Sequence, residues 1–162
     1  MRYLNTKINL NFLLTILFIK IIFINPSVVF SCENLKFKKS TIWFENETKV
    51  KDIIIVELAE TKVKRRQGLQ CRKQMPKNEG MLFIWKKEDF RVFWMNKTFI
   101  PLDIIFFDQN KKIFDFFLNA EPMDKSPIFS NGKAQYVLEL NAGEFKKLDL
   151  KLGQKLFFDN KE

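Results

Sequence analysis

Phe93-Trp94-Met95-Asn96-Lys97-Thr98-Phe99-Ile100-Pro101-Leu102-Asp103-Ile104-Ile105-Phe106-Phe107-Asp108 is the densest aromatic and aliphatic run after the N-terminal segment, and its reading decides the fold. Pro101 breaks it once, so two strands joined by a corner are expected. Trp94, Met95, Phe99, Ile100, Leu102, Ile104, Ile105, Phe106 and Phe107 are too apolar for a solvated surface, and a core is expected to close around them. Asn96, Lys97, Thr98 and Asp103 sit among them, and polar groups there need partners or a job. The stretch is therefore the first candidate for a functional site.

Working outward, Leu102 to Phe107, the turn Asp108-Gln109-Asn110-Lys111 and Lys112 to Leu118 form the clearest hairpin. Upstream, Met81 to Trp85 reads as a buried strand, and Lys86-Lys87-Glu88-Asp89 as a polar turn leading to Arg91–Met95. Met75 to Gly80 reads as a loop. Thr61 can cap a short helix that Gly68 ends in a left-handed conformation. Leu35 to Phe44 and Val50 to Leu58 read as two strands about the polar turn Glu45–Thr48; the run Ile53-Ile54-Ile55-Val56 suggests burial on both faces. Downstream, Asn119 to Lys133 reads as the longest loop and Ala134 to Leu140 as a strand. Asn141-Ala142-Gly143 opens a helical turn, and Gln154 to Phe158 is a last strand. About eight strands and one or two short helices, without βαβ alternation, predict a mostly-β fold, a compact sandwich or barrel-like domain.

The 162 residues, less a leader, suffice for one domain. The net charge is +9. Arg2, Lys7 and Lys20 belong to the leader, which leaves 25 basic against 19 acidic residues, a net of +6. Scattered lysine pairs and the lack of any phosphate loop or nucleic-acid module make this a solvated surface rather than a nucleic-acid interface. There is no histidine, which excludes Ser-His-Asp and Cys-His catalysis in their usual forms and removes the commonest transition-metal ligand. Two cysteines cannot complete a structural zinc site, so no metal and no cofactor is expected.

Residues 1–31 carry a short basic start, an apolar run from Leu10 to Ile24, a turn at Asn25-Pro26-Ser27, and Val29 and Ser31 placed for cleavage before Cys32. This is a secretory signal-peptide pattern. It predicts an exported protein, periplasmic or membrane-anchored facing the periplasm, with an N-terminal arm over 32–49 and the main domain over 50–160. The same residues nearly spell a lipoprotein box, with Phe30 bulkier than such a box prefers. Lys20 would cost about 2.5–3.5 kcal/mol at the centre of a membrane helix, so a permanent anchor ranks third. Membrane contact is expected only through the leader or a lipid on Cys32. Unlipidated, Cys32 and Cys71 form an even pair in an oxidising compartment, and a disulfide between them would contribute roughly 3–4 kcal/mol. With a lipid on Cys32, Cys71 stands alone.

The order Arg65-x-x-Gly68-Leu69-x-x-Arg72, Pro76, Glu79-Gly80-Met81-Leu82-Phe83, Phe93-Trp94-Met95 with Thr98, Ile100-Pro101-Leu102-Asp103, and Val137-Leu138-Glu139-Leu140-Asn141-Ala142-Gly143 with a late Gly153 resembles the family called domain of unknown function 192, DUF192. The resemblance runs from about Val50 to Phe158. It implies a small mostly-β domain, often behind a signal peptide in bacterial relatives, with no settled activity. Where the family usually reads Trp-Met-Lys-Asn-Thr, this chain has Asn96 before Lys97. In an extended segment that swap would turn the amide to the opposite side.

The candidate binding residues are Trp94, Thr98, Asp103, Glu139, Asn141, Arg65 and Arg72, with Cys32 and Cys71 as candidates for lipidation or a disulfide. Asp103 is either a ligand-binding or acid-base group or a carboxylate fixed by Arg65, Arg72 or backbone amides. Glu139 and Asn141 share a strand face and would join Asp103 in one cluster if their strands are neighbours. Trp94 could stack on a flat ligand, although the core is its commoner place. The first functional reading is a non-enzymatic module that binds a small ligand or an envelope component. The alternatives are a hydrolase using Asp103 and Glu139 as its carboxylates, and a protein-interaction domain of the cell envelope.

Overall fold

The computed structural model describes Cys32, residues 35–44 and residues 53–159; the expected leader and the expected turn at Glu45–Thr48 lie outside them. In chain order the elements are β1 (Lys38–Phe44), β2 (Ile54–Ala59), α1 (Lys62–Gln67), β3 (Glu79–Phe93), β4 (Leu102–Phe107), β5 (Ile113–Ala120), β6 (Ile128–Asn141), α2 (Glu144–Lys147) and β7 (Leu156–Phe158). Among the described residues these seven strands form one sheet in the order β5-β4-β6-β3-β2-β1-β7. The sheet is curled into a half-barrel, the barrel-like form of the expected mostly-β fold. Its two edges approach at one end. Lys112 bridges to Lys155 there, and Ile113 N–H donates to the Gln154 carbonyl at 3.0 Å.

β4 explains the curl. Each of its six residues is buried, and its side chains alternate between two apolar clusters. Ile105 and Phe107 enter the cluster inside the curl with Ile42, Val56, Leu82 and Leu138, which Phe145 of α2 and Leu148 just after it help to close. Leu102, Ile104 and Phe106 join the outer cluster, covered by Leu69, Met75, Met95 and Ile100. Burial of each of these β4 apolar side chains contributes roughly 1.5–3 kcal/mol. A strand covered on both faces reads as an unbroken apolar run.

Several expectations need correction. Lys86–Asp89 is no turn: β3 runs through it as one strand with an irregularity against β6 between Ile84 and Asp89, which merges two expected strands. Most of the expected loop at 119–133 is strand, because β5 extends to Ala120 and β6 begins at Ile128. β2 and β3 are parallel, Ile55 opposite Glu79, so β2, α1 and β3 make one crossover in a sheet expected to lack any. Ile53 and Ile55 are exposed rather than buried, since the outer cluster does not reach them. Within the central stretch, Trp94 and Phe99 are exposed while the other seven apolar residues are buried. The expected helix is as read: Thr61 Oγ1 accepts from Lys64 N–H at 3.2 Å, and Gly68 has φ of 51°. No described helix is long and apolar enough to cross a membrane.

Asp103 is buried and points into the curl. Its Oδ1 accepts from Asn119 N–H at 3.0 Å, and its Oδ2 from Gly143 N–H at 2.8 Å and Phe145 N–H at 3.0 Å. One carboxylate thus ties β4 to the end of β5 and to the start of α2, where the helix offers unpaired donors. Neither Arg65 nor Arg72 is its partner. Asp103→Asn turns one acceptor oxygen into a donor facing N–H groups. The substitution is expected to cost roughly 2–4 kcal/mol of stability, read as a lowered urea midpoint.

Candidate functional site

The corner between β3 and β4 is pinned from two sides. Met95 N–H donates to the Asp124 carbonyl at 2.8 Å, Met123 N–H to the Thr98 carbonyl at 3.0 Å, and Cys71 N–H to the Lys97 carbonyl at 2.7 Å. The last bond draws the turn after α1 against the corner. Between them opens a cavity of about 210 Å³, lined by Arg65–Gln70, Phe83, Trp85, Val92, Phe93, Trp94, Thr98 and Glu139. Its aromatic wall is fixed by edge contacts: Phe93 meets Phe83 at 5.1 Å, Trp85 at 6.4 Å and Phe106 at 6.0 Å between centroids. Gly68 is required where the turn meets this wall, for a Cβ there would stand 3.3 Å from the Phe83 ring in a conformation side chains avoid.

Glu139 belongs to the outer face. It pairs across the sheet with Met81 and Ile104, whereas Asp103 pairs with Leu140. Opposed residues of neighbouring strands share a face, and successive residues alternate. Glu139 and Asp103 therefore lie on opposite faces of one sheet. The expected carboxylate cluster does not form, and a hydrolase using the two together is ruled out by register. Asn141 shares Glu139's face but serves the fold, its amide donating to the Met75 and Pro76 carbonyls at 3.0 and 3.2 Å and so holding the loop before β3.

The Glu139 residue is buried and borders the cavity, where its carboxyl oxygens keep contact with solvent and accept no hydrogen bond from a described residue. Desolvation pushes its pKa up to about 8, with Arg72 pulling the other way. At neutral pH it is a neutral acid, able to donate as well as accept. Arg72 itself is held in an ion pair with Glu57, which lies across Met81 from Glu139. Arg65 is half-buried. Its guanidinium lies 5.1 Å from the Trp85 ring centroid and donates to the Ile84 carbonyl at 2.8 Å, and burial lowers its pKa. Arg91 covers the same ring at 4.2 Å.

Of the expected site residues, Trp94, Thr98, Glu139 and Arg65 meet at this cavity; Arg72 lines a second one, of about 390 Å³, with Cys32, Phe37, Glu57 and Cys71. Gln67, Gly68 and Gln70 separate the two. Cys32 and Cys71 are joined by a disulfide, their Cα atoms 6.0 Å apart. That bond uses the sulfur a lipoprotein-type thioether would need, so the two fates of Cys32 exclude each other. Sequence reasoning missed Phe83, Trp85, Phe93 and Gln67, which carry only the signature of core or helix residues. It also took 94–97 as extended. The segment turns, and Lys97 sits at φ of 55°, a left-handed conformation that asparagine tolerates better than lysine.

A profile of DUF192, described as "Uncharacterized ACR", matches residues 42–158. The chain belongs to the DUF192 family. Among solved structures it is similar to a Sinorhizobium meliloti 1021 protein described as a "putative transcription regulator", with 32% identity and a TM-score of 0.74 over 78% of this chain and 98% of that one. It is similar also to a protein of unknown function from Novosphingobium aromaticivorans DSM 12444, with 32% identity and a TM-score of 0.68 over 80% and 91% of the two chains. No curated protein matches it. The matched residues take in both faces of the sheet, the Asp103 tie inside and the Glu139 cavity outside.

Because folding holds Glu139 protonated from its ordinary 4.5 up to about 8, the native state binds more protons than the unfolded chain across that window. Stability contributed by this group is full below about pH 4.5 and falls by about 1.4 kcal/mol per pH unit as pH rises towards 8. Urea unfolding between those limits is expected to show this slope in the native DUF192 domain, and Glu139→Gln is expected to remove it.

Proposed function

We propose that this DUF192 domain is a non-catalytic binding module whose recognition site is the cavity between the turn after α1 and the end of β3. The contrast between its two buried carboxyls carries the reading. Asp103 has three backbone donors and is consumed by the fold. Glu139 carries a desolvation cost with no hydrogen bond to any described residue in return, and it borders a solvent-open aromatic cavity. A carboxyl mostly withdrawn from water, whose oxygens reach solvent only where it borders the cavity, is placed to exchange that water for a ligand's hydrogen-bonding group.

At about 210 Å³ the cavity falls below the range typical of drug-sized ligands, so it suits a single ring or one inserted side chain. The flat apolar body of such a group would lie against Phe93 and Trp94, and a hydrogen-bonding group on it would reach the neutral Glu139 acid. Binding then weakens as pH rises through about 8, where the carboxyl ionises in a dry setting.

Export is the location we infer for this activity. The signal-peptide pattern of residues 1–31 supports it, as does the pairing of Cys32 with Cys71 in a disulfide of the kind that persists in oxidising compartments. An envelope component is then the natural source of the ligand.

The test is a screen of small ring-bearing amides and sugars by thermal shift, followed by titration of the hits. Trp94→Ala and Glu139→Gln are expected to weaken the best hit by roughly tenfold each, on the scale of one aromatic contact or hydrogen bond, without lowering the melting temperature. Hits whose affinity both variants leave unchanged would place binding elsewhere and overturn the reading.

A further inference from the structure

Beyond Ile84, β3 has one strand neighbour. Its partner β2 spans only Glu79 to Phe83, so along Lys86–Phe93 the edge facing away from β6 carries no strand among the described residues. Edges of this kind are templates for another extended chain. Phe90 and Val92 on this segment and Trp94 just past its end recur at every second position and are 63%, 57% and 57% exposed. Phe129, opposite Val92 on β6, is 65% exposed and widens the apolar row. The opposite side of the ribbon is already used: Phe93 packs on Phe83 and Phe106. Contiguous exposed apolar surface of this sort marks a binding face.

The open edge, the apolar row and the cavity share residues. Val92 and Trp94 belong to the row and also line the cavity that ends at Glu139. An extended chain added alongside Val92 would therefore have the cavity beside it, with room for one of its side chains. A membrane surface uses neither the backbone edge nor the acid at the cavity floor. A small free ligand leaves the row uncovered. A peptide strand engages all of these features, through main-chain hydrogen bonds at the edge, alternate side chains on the row and one anchor in the cavity.

We propose that the ligand of this domain is an extended peptide segment of a partner protein, which adds as a strand to the free edge of β3 and inserts one ring side chain bearing a hydrogen-bonding group into the Glu139 cavity. The proposal rests on the binding reading above and specifies its ligand. Partner peptides alternate apolar and polar residues, because one face meets Phe90, Val92, Trp94 and Phe129 while the other meets solvent.

The probe is a pooled library of capped peptides of about seven residues, alternating threonine and valine with every amino acid represented at the centre, a length that spans the edge at about 3.4 Å per residue. The tightest member is compared with the capped single amino acid of its own centre, using intrinsic tryptophan fluorescence. The peptide is expected to bind at least roughly tenfold more tightly than the single residue, the worth of one or two hydrogen bonds. N-methylating the alternate amides that face β3 is expected to abolish that gain, and methylating the other set to leave it. Equal affinities for peptide and single residue, or indifference to both methylation patterns, overturn the peptide while leaving the cavity reading in place. If no library member and no single residue binds, the peptide proposal fails, and the cavity reading stands or falls on the screen of ring-bearing amides and sugars above. If sedimentation instead shows a dimer that Val92→Lys dissociates, the edge belongs to a second copy of this chain and the proposal is wrong.

Discussion

The constraint on which the geometry of this domain depends is a single carboxylate that pairs with no cation among the described residues. Asp103 sits in the strand buried on both faces and receives N–H groups from the end of β5 and from the first turn of α2. Short helices do not persist alone, since nucleation costs more than a few hydrogen bonds return. α2 has only four residues, yet it closes one end of the inner cluster with Phe145. It is held there by a charge placed at its unpaired donors and by the burial of that ring. Without the tie, β4 would keep its apolar alternation and lose the link that bends its neighbours towards the closing bridge between Lys112 and Lys155.

The bend has a consequence on the opposite face. With the inner cluster filled by the sheet's own side chains, the outer cluster must be covered by segments that are not strands of the curl: the turn after α1, the corner from Met95 to Ile100, and the far half of β3 folded with β6. Three separate covers do not tile a surface without a seam. The cavity lies at that seam, and Glu139, at a position where the register dictates the outer face, ends up beneath it. Two carboxyls one position apart in pairing thus acquire opposite fates from the pleat alone: one locked, one left open.

Much of this was legible in residues. The central run gave β4 because burial on two faces leaves no polar alternation, and Thr61 with Gly68 marked α1 through the chemistry of helix ends. What the residues hid is what depends on non-local register. Lys86–Asp89 has the composition of a turn, but a long strand can carry four polar residues where an irregularity relieves the pairing and solvent takes the side chains. The Asp103–Glu139 cluster was plausible from proximity of strands and false by one residue of pairing. The aromatic wall was invisible because Phe83, Trp85 and Phe93 have the same pattern whether they fill a core or line a cleft.

The Lys97 position shows how the corner and the cavity constrain one another. Its carbonyl accepts from Cys71 N–H, and its φ of 55° is what turns that carbonyl towards the α1 turn. An asparagine would suit this backbone conformation better than the lysine found here, and neither Asn96 nor Lys97 borders the cavity. Cys71 is itself left-handed, at φ of 67°, and is bonded to Cys32. Two strained residues joined by one backbone hydrogen bond form the hinge between the cavity's two walls, and the disulfide fastens the N-terminal arm to one of them. The corner and the turn after α1 are thus coupled through one backbone hydrogen bond, and the same turn is covalently tied to the N-terminal arm, so a change of conformation at Lys97 or Cys71 would be felt on both sides of the cavity.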